Sequence, residues 1–362
     1  MVTQAGDKPH VQIDSDSSTK PIMSFIIRTE PGQHHFKVEA NQTILTAAIQ
    51  QHIRLPYGCR DGKCGSCSAE LLAGDVAYPS GKTAALSGQP PSACLTCQAV
   101  PGSDLILRVS ELTSAAEITV RTLPCRLEEK QRLNHDVIRL RLQLPDAQRL
   151  QFLAGQYLEF ILADGRKRAF SIANAPHDDA LIELHVRHVP GGEFTDALFD
   201  QVQPKSILRI QGPLGSFVLR ETSTRPMIFI AGGTGFAPIK GLLEHAFHIG
   251  IQRPMTCYWG VRARHDLYLA ELPEQWAATH PNFHYVPVLS EPDADWPGRR
   301  GFVHEAVLQD HPEIADYDVY MSGPPIMVEA GRGAFEALGL GMDHMFSDAF
   351  EWAADSPKAR AT

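Results

Sequence analysis

Three textures follow one another along the chain, and together they predict a multidomain protein, α+β at its start and α/β at its end. First, strand-like and helical patterns frame a glycine-rich loop in which Cys59, Cys64 and Cys67 fall at C-x4-C-x2-C. Second, Ile138, Leu140, Leu142 and Leu144 alternate with Arg139, Arg141 and Gln143, as a half-buried strand requires. Similar short runs at 157–162, 181–186 and 206–210, split by glycine and proline turns, predict a small antiparallel β-barrel. Third, the apolar run Met227-Ile228-Phe229-Ile230-Ala231 reads as a strand buried on both faces. Later strands alternate with helical sequence, which predicts a doubly wound parallel sheet.

A length of 362 residues suits two or three domains, and 43% apolar with 21% charged residues suits soluble domains with real cores. The net charge of −9 argues against nucleic acid as a main partner. No stretch approaches the roughly 18 apolar residues of a membrane span. The N-terminus has no apolar signal region, so a secretory signal is not expected. Of seven cysteines, four suit a metal centre, and Cys94, Cys125 and Cys257 remain. An odd remainder without framework spacing fits a reducing cytoplasm.

In chain order, 1–22 is polar and poor in aromatics, a disordered leader with Met23 read as a natural start. Strands are expected at 24–28 and 35–38, then a helix capped by Asn41 or Thr43 in which Leu45, Ile49 and Ile53 share a face. A strand at 105–109 closes this first unit, 23–111, and the small, polar 112–119 is a linker. The barrel occupies 120–223 and the parallel sheet 224–350, with a tail at 351–362. Within the latter, a helix opened by Pro238 carries Ile239, Leu242, Leu243 and Phe247, and strands follow at 255–260, 283–289 and 319–322.

The cysteines carry the most specific signal. Cys97 follows Cys67 after 29 residues, and four thiolates at this plant-type spacing can hold two irons and two sulfides. A structural zinc site also uses four cysteines, but zinc knuckles pair C-x2-C with C-x2-C across a shorter gap. Cys94, three residues earlier, is a rival fourth ligand; the plant-type pattern falls on Cys97. Gly58, Gly62 and Gly65 let the loop bend tightly and leave N–H groups free to face sulfur. Arg60 and Lys63 form a basic rim that suits either solvent or an acidic partner.

The loop resembles the plant-type [2Fe-2S] ferredoxins, and a hairpin, helix and cluster loop in that order is their β-grasp. Further on, Arg168-Ala169-Phe170-Ser171 and Gly191-Gly192-Glu193-Phe194-Thr195 offer guanidinium, N–H and hydroxyl donors of the kind a pyrophosphate wants. Here the chain resembles the ferredoxin–NADP reductase superfamily, whose flavin motif is Arg-x-Tyr-Ser, with Phe170 in the Tyr place. The resemblance implies that Arg168 binds the FAD pyrophosphate, that Phe170 stacks on the ring, that Ser171 lies near its reactive N5, and that Gly192 and Thr195 hold phosphate. It also puts His185 among the cofactor-binding residues. Gly232-Gly233-Thr234-Gly235, ahead of Pro238, sits between a buried strand and a helix start, where glycines admit a pyrophosphate. It is not the G-x-G-x-x-G fingerprint, but resembles the superfamily's nucleotide loop.

The same resemblance puts Ser322, of Ser322-Gly323-Pro324-Pro325, beside the nicotinamide, where many relatives have Cys. It makes Phe350 the aromatic ring covering the flavin, with Phe346 a core residue. Ser290-Glu291-Pro292 stands where NADPH users carry Ser-Arg; Glu291 would repel a 2′-phosphate and accept from a ribose hydroxyl, so NADH is favoured over NADPH. Arg262 and Arg264 are the residues that argue the other way.

The order of the three units resembles the NADH-dependent reductases of multicomponent oxygenases and the reductase of CDP-6-deoxy-glucoseen synthesis. That implies hydride from NADH to FAD, then single electrons through the [2Fe-2S] cluster to a partner oxygenase, with a sugar-nucleotide dehydratase as the alternative acceptor, by a monomer without a membrane span. A redox-sensing module without turnover, or a subunit held permanently in a larger complex, are the competing readings.

Overall fold

The computed structural model describes residues 24–51, 53, 55–56, 62, 67–109, 118–145 and 148–350. The leader, most of the linker, the tail, and Cys59, Arg60, Lys63, Cys64, Gly58 and Gly65 lie outside the described residues.

The first unit contains β1 (Ser24–Glu30), β2 (His35–Glu39), α1 (Ile44–Gln50), β3 (Ser68–Ala73), β4 (Val76–Ala77), β5 (Ala93–Leu95), β6 (Val100–Pro101) and β7 (Leu105–Arg108). Its five-stranded sheet runs β2-β1-β7-β3-β5, with β1 parallel to β7 and antiparallel to β2. Of the two expected caps, Thr43 accepts from Thr46 N, and Ile44, Leu45, Ala47 and Ala48 are buried. Ile53 lies beyond the helix end yet is buried, because its N–H folds back onto Ala48 O. Among the described residues, the core of this unit, from Ile27 to Val109, draws on none outside it.

The second unit contains β8 (Arg121–Arg132), β9 (Val137–Gln143), β10 (Tyr157–Ile161), β11 (Lys167–Ser171), β12 (Ile182–Arg187), α2 (Glu193–Asp200) and β13 (Ile207–Leu214). The strands form one antiparallel sheet, β11-β10-β13-β8-β9-β12. A single bridge, Ile172 to Leu184, joins its two ends. Ile138, Leu140 and Leu142 are buried while Arg139, Arg141 and Gln143 are half-exposed, as the alternation requires.

The third unit contains β14 (Met227–Gly232), α3 (Phe236–His248), β15 (Met255–Val261), α4 (Glu271–Thr279), β16 (Phe283–Leu289), β17 (Arg299–Arg300), α5 (Val303–Asp310), β18 (Asp318–Gly323), α6 (Pro325–Glu336) and β19 (Met345–Ala349). All six strands are parallel, in the order β17-β16-β15-β14-β18-β19. The chain starts at β14, winds one way through β15 to β17, and returns to the other side for β18 and β19. A reversal of this kind leaves a crevice at the carboxyl ends of the strands. Every residue of β14 is buried, which is why its sequence shows no alternation. Its core extends across the seam to Val137, Ala154, Phe217 and Leu219, so the second and third units share apolar packing.

Candidate functional site

Two of the four candidate iron ligands lie among the described residues, and they meet. Cys67 Sγ and Cys97 Sγ are 3.2 Å apart, both buried, joined across 30 positions of sequence. The approach is fixed by backbone: Thr96 N and Thr96 Oγ1 both donate to Cys67 O. Gly62 has φ +68°, and a Cβ there would lie 1.9 Å from Lys82 O, so only glycine fits beneath this loop. The hydrogen bond with Cys67 outweighs burial and, helped by Gly62 and Gln98, lowers the Cys97 thiol to about 6. Cys94 is different: burial raises its thiol to about 11, despite the Tyr78 hydroxyl beside it. Thiolates bind iron and thiols do not, so Cys97 has the better chemistry for a ligand. Cys125 and Cys257 sit in the cores of the second and third units, their thiols also pushed up by burial.

The flavin candidates gather on β11, β12 and the start of α2. Arg168 and Phe170 are half-buried on β11, and Phe170 packs against Phe160 and Phe194 at 5.7 and 6.0 Å between ring centres. Gly192 caps α2, and the Thr195 hydroxyl contacts Val189 O and Gly192 O at 3.1 Å each, so it shapes the glycine turn. His185 has a different environment from a ligand-facing side chain. Its ring is fully enclosed, with Nδ1 3.0 Å from Tyr268 Oη and Nε2 3.1 Å from Glu183 Oε1.

On the nucleotide side, Gly233 takes φ +55°, and Arg187 Nη1 lies 2.8 Å from where its Cβ would be. The indole of Trp259 donates to Gly233 O at 2.9 Å and stacks on Phe236 at 3.9 Å, anchoring the turn to the first residue of α3. A Cβ on Gly235 would lie 2.0 Å from Ser322 O, so the loop passes directly against β18. Thr234 is the half-exposed member of the turn, and Pro238 is buried in the first turn of α3. Arg262 and Glu291 are both exposed at the carboxyl ends of β15 and β16, linked by Glu291 N to Arg262 O at 2.9 Å.

The catalytic candidates converge where β11 meets β18 and β19. Ser171 Oγ donates to Asp348 Oδ2 at 3.0 Å across 177 positions of sequence. Asp348 is the register partner of Ser322, and Phe350 N donates to Gly323 O at 2.9 Å. Ser322 is fully buried, and its Oγ is without a hydrogen-bond partner among the described residues. Burial holds the Asp348 carboxyl above its usual range, opposed by the Ser171 hydrogen bond. Asp348 is the member that sequence reasoning passed over. It lies between Phe346 and Phe350, and a carboxylate two residues before an aromatic is a weak signal without its partner. Phe346 belongs to the core, beside Tyr320 at 4.8 Å.

Comparison with known proteins follows the same division. Family models match a 2Fe-2S iron-sulfur cluster binding domain at 27–102, an oxidoreductase FAD-binding domain at 124–219 and an oxidoreductase NAD-binding domain at 229–332. The chain is 40% identical over 328 residues to the CDP-6-deoxy-L-threo-D-glycero-4-hexulose-3-dehydrase reductase of Yersinia pestis, covering 91% of this chain and 99% of that one. It is 34% identical over 316 residues to the terephthalate 1,2-dioxygenase reductase component 1 of a Comamonas species, covering 87% and 94%. Among solved structures, an Amycolatopsis cytochrome P450 reductase superposes with TM-score 0.61 at 33% identity, covering 90% of this chain and 98% of that one. No helix of the described residues is long and apolar enough to cross a membrane.

Proposed function

Because the chain belongs to the family of reductases that join a 2Fe-2S cluster binding domain to FAD-binding and NAD-binding domains, we propose that it serves a dehydrase-type acceptor of a sugar-nucleotide pathway. NADH-driven electron transfer to a partner protein is common to the family; the acceptor is the open question. The dehydrase reading is supported by the 40% identity over 99% of the Yersinia pestis reductase, against 34% over 94% of the terephthalate dioxygenase component. An oxygenase component is the second reading.

The residues present fit the cofactors. The paired sulfurs of Cys67 and Cys97, the turn at Gly233 and the unpartnered Ser322 hydroxyl each suit a group of the expected kind. Cys59, Cys64, Cys67 and Cys97 would hold the cluster. Arg168, Gly192 and the turn shaped by Thr195 would hold the FAD pyrophosphate, with Phe170 and Phe350 against the ring system. Gly232, Gly233, Thr234 and Gly235 with the N-terminus of α3 would hold the NADH pyrophosphate, and Arg187 adds positive charge there. When bound, FAD takes up hydride and the cluster passes electrons singly, chemistry that no side chain supplies.

The observation that carries the electron-transfer reading is the hydrogen bond from Ser171 to Asp348, the register partner of Ser322. Ser171 sits on the flavin side of the seam, and the strand pair that carries Asp348 and Ser322 lies on the nucleotide side, so this junction is where hydride would cross. The Ser171 proton is held toward Asp348, which keeps the serine oxygen oriented. Glu291 favours NADH over NADPH. The bridge between Ile172 and Leu184 supports reading the second sheet as a closed barrel, and the parallel β1–β7 pair supports a β-grasp for the first. Domains at 23–111, 120–223 and 224–350, a monomeric state and a cytoplasmic location complete the proposal. The test is NADH consumption by the cofactor-loaded protein, coupled in turn to a purified hexulose dehydrase and to a dioxygenase component. Faster turnover with the dioxygenase component would overturn the dehydrase assignment.

A further inference from the structure

We propose that His135, His265 and Asp266 form a binding site for a divalent transition metal of the zinc class, clamping the seam between the second and third units. His135 lies in the turn between β8 and β9; His265 and Asp266 lie in the turn after β15. Asp266 Oδ1 is 3.7 Å from His135 Nε2 and 3.6 Å from His265 Nε2, and the three ligand atoms all lie within 4.8 Å of one another. Tetrahedral bonds of about 2.0–2.1 Å put ligand atoms roughly 3.3 Å apart, so a small closure of the two imidazoles completes the geometry.

The site is supported from behind. Asp266 Oδ2 accepts from Ala263 N at 3.0 Å, which fixes the carboxylate and leaves Oδ1 facing the imidazoles. Asn134 ties the two turns together: its Nδ2 donates to His265 O at 3.1 Å, while its Oδ1 accepts from Val137 N at 2.8 Å. Asp136 adds negative charge, with Oδ2 3.8 Å from His135 Nε2, although that oxygen also receives Arg187 Nε at 2.8 Å. The carboxylate is buried and both imidazoles are exposed, so an ion can enter from solvent and keep a water in the fourth position. Two imidazoles and one carboxylate suit zinc and its neighbours, not the oxygen-seeking magnesium or calcium. Neither unit supplies all three ligands, so binding joins them.

The experiment titrates untagged, FAD- and cluster-loaded protein with Zn2+ against a chromophoric chelator, alongside His135→Ala and His265→Ala. We expect one ion per chain in the parent, not displaced by millimolar Mg2+, and at least about tenfold weaker binding in each variant. Amide exchange in the 133–136 and 263–268 turns should slow on zinc addition in the parent and not in the variants. Flavin absorbance reports that the variants are folded. Unchanged affinity in both variants, or no ion bound by the parent, overturns the proposal.

Discussion

Replacing Cys97 by Ser and Cys94 by Ala in separate proteins asks which sulfur completes the cluster. The thiols are lowered to about 6 and raised to about 11. The thiolate, the form that binds iron, is therefore favoured at Cys97 and disfavoured at Cys94. The geometry agrees, since Cys97 Sγ is 3.2 Å from Cys67 Sγ. Cys94 lies fully buried on β5 among apolar neighbours, where Ala costs about 1 kcal/mol of lost burial. Cys97→Ser should therefore lose iron and acid-labile sulfide and, with them, NADH-driven cytochrome c reduction, while ferricyanide reduction through the flavin persists. Cys94→Ala should keep full iron content and both activities. Iron and sulfide analysis with the two acceptor assays decides it. A Cys94→Ala protein lacking the cluster, beside a Cys97→Ser protein that retains it, would refute the reasoning.

Four further outcomes are expected. Ser171→Ala removes the donor that lowers the Asp348 carboxyl, so stopped-flow flavin reduction by NADH should slow about 10²-fold and its pH profile should move to higher pH; an unmoved profile would count against a role at the hydride crossing. Gly235→Ala puts a Cβ 2.0 Å from Ser322 O and should cost about 1–3 kcal/mol with a large rise in KM for NADH, whereas Gly333→Ala, with open space around it, should be benign by the same assays. Glu291→Ala should raise kcat/KM for NADPH relative to NADH about tenfold, read from steady-state rates with ferricyanide; an unchanged ratio would remove Glu291 from nucleotide choice. Lys240→Met takes one cation from the buried Glu183 while Arg141 stays at 3.2 Å, and should cost about 1–3 kcal/mol in thermal or denaturant unfolding at pH 7. Burial raises the Glu183 carboxyl, but His185 and Lys240 outweigh it and hold it well below its usual range. Its stabilisation is thus complete above the ordinary carboxylate pKa and lost in acid, so the gap between parent and variant should narrow as pH falls.

The parts legible in the sequence were those whose signal is local. The uninterrupted run of β14 and the alternation of β9 each state their burial within a few residues. The longest strand, β8, was not expected. Only Leu123, Cys125 and Leu127 alternate inward, Pro124 interrupts, and the charged second half follows a register shift between Leu127 and Glu129. Helix α2 was hidden because its Gly-Gly lead-in reads as a phosphate turn; its buried contact, Leu198, is a single residue. β19 read as an aromatic tail, yet it pairs with all of Val319–Gly323, a partner no local pattern announces. Asp348 escaped for the same reason, since its meaning lies in Ser171.

The same non-locality explains how the two halves of the proposed hydride site keep their places. Glu183 and His185 come from β12, Lys240 from α3, and Tyr268 from beyond β15. Lys240 Nζ reaches Glu183 at 3.3 Å, Glu244 at 2.9 Å and Ala173 O at 3.2 Å, while Arg141 reaches Glu183 at 3.2 Å. Apolar contact alone, such as that of Val137 and Phe217 with the nucleotide core, resists separation but is non-directional and permits sliding. Hydrogen bonds to buried charges do not permit it, because a shifted register leaves a charge unpaired at a cost of several kcal/mol. The network therefore adds little to net stability when intact and a great deal to position. Two residues beyond His185 the same strand carries Arg187 to Gly233, and the preceding strand ends at Ser171 against Asp348. Locking β12 to α3 is thus what brings the flavin-side hydroxyl and the nucleotide turn to one point.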